Sequence, residues 1–247
     1  VSRRIIVKDQ TGRFVEKNFN INQDYARIRG FELTLNRRVQ KYLSTTFSAA
    51  YQIATGKSNS AQESQLQILQ TGSVSPTVEQ YLAWDRPLDL KLMIVFKPDT
   101  SFHIGRVNFN KVRVFLNSTY KSGLRYTPYY QNGVEPNGRP IYEPDELNPF
   151  SKLGAAWWNT DLKITKDIVI KRGQQISLSI EFKNIFDNKN AAIINPITGK
   201  AYEYGDPLPN TYRDPMYPDP QDNGVPPFNP ARFLTPRQVL AGISWQF

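Results

Sequence analysis

Few side chains in this 247-residue chain have the type and spacing that a reaction needs. The one histidine, His103, has no nucleophile or carboxylate placed to suggest a triad or an acid–base pair, so a surface histidine is the plainer reading. Serines are plentiful, yet none sits in a Gly-x-Ser-x-Gly elbow. No glycine-rich loop of the phosphate-cradling kind is present. Cysteine is absent, which removes disulfides and thiolate metal sites. One acidic run, from Asp214 through Asp219 and Asp222 to Gly224, carries carboxylates of the kind calcium prefers. It lacks EF-hand spacing and its prolines stiffen it, so a polar loop built from turn residues is the simpler account. These residues predict no enzyme, no metal and no cofactor.

The informative spacing is a period of two. From Val239 to Phe247 bulky apolar residues alternate with small or polar ones: Val239, Ala241, Ile243, Trp245 and Phe247 share one face, and Leu240, Gly242, Ser244 and Gln246 the other. The same alternation runs through Tyr25–Arg37, Leu43–Thr55, Leu88–Lys97, Lys111–Lys121, Trp158–Ile168 and Gln175–Phe186, with a less regular pair at Arg3–Lys8 and Arg13–Asn20. No helical stripe appears, so the chain is expected to be all-β. The links between strands alternate in length. Short or middling ones fall at Arg38–Tyr42, Pro98–Asn110 and Val169–Gln174, and long ones at Gly56–Pro87, Ser122–Trp157 and Asp187–Arg237. Three long loops on one end of a sheet fit an antiparallel up-and-down transmembrane β-barrel, with short turns on the periplasmic side and long loops outside. A soluble sandwich predicts no such bias.

Composition agrees with a barrel. No apolar run approaches the ~20 residues that a membrane helix requires, and mean hydropathy is −0.52. A barrel strand presents only every second residue to lipid. Aromatics are abundant, with 13 Tyr, 14 Phe and 4 Trp, as interface girdles need. Net charge is +9, but the basic residues are scattered, so nucleic acid is not an expected partner. The chain starts at Val1 with no visible signal peptide, and a piece of something longer is the preferred reading.

The alternation assigns candidate residues. Glu32, Asp89, Lys91, Arg113, Lys121, Asp161, Lys163, Glu181 and Lys183 share the polar parity, as do Lys97 and Lys111, and are expected to face a lumen. Their positive excess would suit an anionic cargo or a plug; alternatively, acidic partners lie on other strands. Tyr51, Tyr120, Trp158 and Phe186 on the outer side, with Phe96, Trp245 and Phe247 on the inner side, form the expected lipid-facing belts. The inward residues Ser44, Ser48, Ser177, Ser179, Gly242 and Ser244 are small and polar, suiting a wide lumen better than a narrow filled one. In the last long loop Tyr202, Tyr204, Tyr212, Tyr217, Phe228 and Phe233 are contact candidates for a ligand or a surface lid protein; the alternative is a loop packed on itself.

Four stretches resemble the C-terminal part of a TonB-dependent outer-membrane receptor. They are Ala26-Arg-Ile-Arg-Gly-Phe-Glu-Leu33, Trp84-Asp-Arg-Pro-Leu88, Leu178-Ser-Ile-Glu-Phe-Lys-Asn-Ile-Phe-Asp187, and Pro236-Arg-Gln-Val239 onward to Phe247. The resemblance implies that the chain supplies about the last third of a 22-stranded barrel around an N-terminal plug domain absent from this sequence. It also implies active nutrient uptake across the outer membrane of a Gram-negative cell, powered by the TonB complex. The barrel-assembly machinery would recognise the terminal aromatic strand. Arg27 and Arg29 share the lipid-facing parity at the outer end of their strand, where lipopolysaccharide phosphates are expected to meet them; the alternative is that the strand stands clear of the membrane there. Two other readings stay open: a self-contained small outer-membrane barrel for adhesion or structure, and a soluble all-β binding module.

Overall fold

The computed structural model describes residues 2–8, 11–20, 25–39, 42–57, 79–98, 103–105, 107–170, 174–203, 205–209 and 232–246. Among these there is no α-helix, and no helix long and apolar enough to cross a membrane. The strands are β1 (Ser2–Lys8), β2 (Phe14–Asn20), β3 (Ala26–Val39), β4 (Leu43–Gly56), β5 (Gln80–Tyr81), β6 (Leu88–Phe96), β7 (His103–Ile104), β8 (Val107–Asn108), β9 (Val112–Lys121), β10 (Arg125–Tyr126), β11 (Tyr129–Val134), β12 (Pro140–Pro144), β13 (Lys152–Leu153), β14 (Trp157–Val169), β15 (Gln175–Lys183) and β16 (Gln238–Gln246).

The main sheet is a sequential meander of seven long strands in the order β3-β4-β6-β9-β14-β15-β16, with β5 alongside β4 as an eighth member. Every adjacent pair is antiparallel. β6, β9, β15 and β16 have 9, 10, 9 and 9 residues, about the 9–11 that a tilted strand needs to cross hydrocarbon. The period-two segments read from sequence coincide with these strands to within a residue or two at most ends. The exception is Gln175–Phe186, which stops at Lys183. Asn184 and Asp187 adopt φ of 50° and 54°, a left-handed turn that ends the pairing. Phe186 therefore sits in that turn, with its ring 5.7 Å from Trp158, and not on a strand.

The sheet is open. Among the described residues β3 pairs only with β4 and β16 only with β15, and every one on both strands whose burial is described is exposed. β1 and β2 form a separate two-stranded hairpin.

Connections at one end of the meander are short, at 40–42 and 170–174; the third, 97–111, carries the small β7–β8 hairpin with His103 opposite Asn108. Those at the other end, 57–87, 122–156 and 184–237, are long. They are not structureless where described: they contain β5, the pairs β10–β13 and β11–β12, and the bridges Ala191↔Phe233 and Ile194↔Ala201. They also hold most of the buried side chains, including Leu82, Asp85, Asn184, Asn190, Asn195, Tyr202 and Arg232. A backbone bond from Tyr129 N–H to the Pro196 carbonyl (3.0 Å) joins the second to the third. Close backbone approach needs glycine here: a Cβ on Gly123 would lie 2.0 Å from the Gly154 carbonyl oxygen.

Candidate functional site

The two faces of the meander are the candidate site, and strand register builds each of them. Side chains opposite one another across a ladder lie on the same face. Following the ladders, Leu33, Ala49, Leu90, Tyr120 and Trp158 fall on one face, as do Leu116, Leu162, Phe182 and Val239. The whole apolar set continues without a break from β3 to β16, including Phe47 against Leu92 and Leu178 against Ile243. Leu90, Leu92, Leu178 and Ile243 are all outside the buried core. Phe31 is 66% exposed and Ile243 80% exposed, so no second protein layer covers this face there.

Several polar atoms on the apolar face bond to a neighbouring strand or to the adjoining connection. Ser118 Oγ and Thr160 Oγ1 lie 2.8 Å apart, and the Trp158 indole N–H donates to Ser118 Oγ at 3.0 Å. Lys166, of apolar parity near the short-connection end, turns its Nζ to the Asn110 carbonyl. Such pairing is what a surface without water requires. Tyr51, Tyr120 and Trp158 lie at the long-connection end; Tyr51 packs on Phe31 at 5.7 Å and Tyr120 stands opposite Trp158. Trp245 lies at the other end, opposite Ile176. Phe247 falls outside the described residues.

The opposite face collects nine of the eleven charged residues read from parity; Lys97 and Lys111 fall just beyond the ends of β6 and β9. Asp89 sits opposite Lys121, Lys163 opposite Glu181, Lys91 opposite Ser48, Glu32 opposite Ala50, Asp161 opposite Asn117, Arg113 opposite Thr165, and Lys183 opposite Gln238. Several neutralise each other in place. Asp89 Oδ2 meets Lys121 Nζ at 3.4 Å and Lys91 Nζ at 3.8 Å, while Lys163 Nζ meets Glu181 Oε2 at 3.3 Å. Arg113 Nη2 donates to both carboxylate oxygens of Asp167 at 2.9 Å. Asp167 shares the parity of Asp161 and Lys163, so the alternation could have identified it. Asp161 spends its Oδ1 on the backbone N–H of Asn184 (2.9 Å), fixing the turn after β15. The positive excess counted from sequence is thus partly cancelled within the sheet. This face is not wholly polar: Met93, Val95 and Phe115 share it.

Above the strand ends, Asp85 links two long connections and one strand. It is 0% exposed; its Oδ1 accepts from the Ala54 N–H (2.8 Å) and its Oδ2 from Arg125 Nε (2.7 Å). Arg125 also lies 3.5 Å over the Tyr81 ring and donates to the Ser151 carbonyl. Sequence reasoning missed this centre because its members stand in segments without periodicity. Tyr202, proposed from sequence as a contact residue, is 6% exposed beneath Arg232 and offers no surface to a partner. Tyr204, Tyr212, Tyr217, Phe228 and the acidic run 214–224 lie outside the described residues. Among the described residues no cluster of three or more His, Asp or Glu could hold a metal.

At the long-connection end of β3 the apolar parity carries Arg27 and Arg29, opposite Thr55 and Ile53. Glu79, just before β5, reaches back to them: Thr55 Oγ1 donates to it, Tyr25 Oη lies 3.5 Å from it, and Arg27 Nη1 lies 3.8 Å from its Oε2. The Thr55 bond, then the charges of Arg27 and Arg29, hold its carboxyl below its ordinary 4.5. A carboxyl depressed in this way stabilises its surroundings above its unfolded pKa, and that support disappears as pH falls through the folded value. The 79–81 segment is therefore expected to lose hydrogen-exchange protection below about pH 4.5, and Glu79→Gln to abolish that pH dependence. Comparison with family models, with curated proteins and with solved structures finds no match to this chain, so the two faces and their connections carry the functional reading by themselves.

Proposed function

We propose that this chain is part of the wall of a β-barrel in the outer membrane of a Gram-negative bacterium, of the TonB-dependent receptor type. One observation carries this: an apolar surface, in register across seven strands, that no layer of the described residues covers. In water such a surface would drive aggregation, whereas in a bilayer it is the required one. The paired charges of the other face and its serines fit a wet interior filled by a plug domain. In this reading the long connections face outward, take part in capturing a nutrient, and meet a lid protein if one is present. Work for uptake comes from the TonB complex acting on the plug. A soluble binding module is disfavoured by the exposed apolar face.

Strand direction supports a share of a larger barrel over a small self-contained one. β3 and β16 run the same way, so joining them would make a parallel pair, whereas bacterial barrels close antiparallel with an even strand number. An odd number of further strands is needed, and the β1–β2 hairpin, which adds two, leaves that parity unchanged. Copies of the chain do not help. Around a common axis β3 of one copy would meet β16 of the next in parallel. Inverting alternate copies would place long connections on both sides of the membrane.

This chain has no cysteine, so single cysteines placed in it report on the two faces when labelling is read against the unsubstituted protein. With the full-length protein in membranes, a membrane-impermeant maleimide is expected to label cysteines at Asn117 and Ser179 and to spare those at Leu116 and Ile180 until the bilayer is dissolved. Equal labelling of both sets in intact membranes would falsify the wall reading.

A further inference from the structure

Arg27 and Arg29 are not equivalent, and the difference points to a ligand. Arg27 is already committed to Glu79 and lies over the Tyr25 ring at 6.0 Å. Arg29 stands one apolar-face position further in, between Arg27 and Phe31 and opposite Ile53. It is exposed, and it has no hydrogen-bond or ion-pair partner among the described residues. Lys57, just past β4, brings its Nζ to 5.7 Å from the ring of the same tyrosine, and its backbone N–H donates to the Tyr25 carbonyl at 3.3 Å. Arg27 and Lys57 thus approach one aromatic residue at the edge of the apolar surface, with a carboxylate beside Arg27 and Arg29 next on the same face of β3.

A guanidinium at the margin of hydrocarbon needs an anion, and its fork matches two oxygens of a phosphate. Glu79 comes within ion-pair distance of Arg27, whereas the charge of Arg29 acts on its carboxyl from further off, without direct contact. Tyrosine at this level sits with its ring in the headgroup zone.

We propose that Arg29, with Lys57 and the Glu79-held Arg27, binds a phosphate on the headgroup of an outer-leaflet lipopolysaccharide. This rests on the barrel-wall reading. Arg29 supplies the bidentate contact, Lys57 a second charge, and Glu79 keeps Arg27 extended along the sheet so that its remaining N–H groups face the same phosphate. The cluster would tie the strand end to the leaflet and set how deep β3 and β4 sit.

Native mass spectrometry of the full-length protein in detergent tests this with bisphosphorylated lipid A, the same lipid with its phosphates removed, and inorganic phosphate. The bisphosphorylated lipid should be retained about tenfold more tightly than the dephosphorylated one, and Arg29→Gln should erase about that factor. Arg27→Gln should cost less, and Arg29→Lys should restore part of the loss because charge is kept without the fork. Equal retention of the two lipids, or an unchanged Arg29→Gln protein, overturns the site. So does inorganic phosphate displacing the lipid at matching concentration, since the ligand would then be free phosphate. Cysteine labelling on the same preparation separates the two claims: an intact alternation without phosphate preference removes only this site, while a lost alternation removes the wall and the site together.

Discussion

Arginine at Leu116 is expected to cost about 2–4 kcal/mol of folding free energy in a bilayer, whereas arginine at the adjacent Asn117 should change it by less than about 1 kcal/mol. Leu116 lies in the middle row of the apolar face, flanked by Ile94 and Leu162 on the neighbouring strands. A guanidinium there has no acidic partner within the sheet and would have to drag water or headgroups toward the bilayer centre. Asn117 points the other way, opposite Asp161 and Met93, where added positive charge meets a carboxylate. Urea titration of the protein folded into vesicles reads both, alongside heat-modifiable migration on a gel. The contrast depends on hydrocarbon contact. In detergent-free buffer a soluble sheet would show little difference between the two variants, and that outcome would count against the membrane assignment.

Asp85→Ala is expected to be the most damaging change in the long connections. It strips the counter-charge from Arg125, whose side chain is 11% exposed, and removes the acceptor from the Ala54 N–H. Leaving one member of a buried pair alone costs about 3–5 kcal/mol, because the surviving charge stays desolvated. The main ladders do not depend on Asp85, so the damage should concentrate in segments 79–87 and 122–156. Limited proteolysis should cut there at low protease concentration while the meander stays intact. Adding Arg125→Met to Asp85→Ala should recover part of the loss, since no unpaired charge then remains. If the double variant is no better than the single, the pair is not the source of the stability.

Much of the sheet was legible from alternation alone because a strand's side chains switch face at every residue, and a one-residue slip would invert the pattern. That is why Leu90, Leu178 and Ile243 could be assigned a common face from three separate segments. It failed at Phe186, where the apolar parity continues through Asn184 but the backbone turns left-handed, stabilised by bonds from the Asn184 side chain to the Asn188 and Thr235 carbonyls. Period-two reading sees side chains and is blind to a backbone that leaves the extended region. The loop aromatics show the same limit. Tyr202 reads as a contact residue by type, yet it is packed under Arg232.

The amino-acid order by itself determined strand number and direction in the meander, the split into an apolar and a charged face, and the one-ended distribution of long connections. All of these follow from local geometry repeated along the chain. Only the tertiary structure decided which charges neutralise one another, that Glu79 pairs directly with Arg27 and not with Arg29, that Asp85 ties two connections to β4, and that the sheet stays open with parallel edges among the described residues. Those outcomes depend on register between strands and on contacts between residues distant in sequence. Distance through space, which no periodicity encodes, sets whether two charges or two backbones meet.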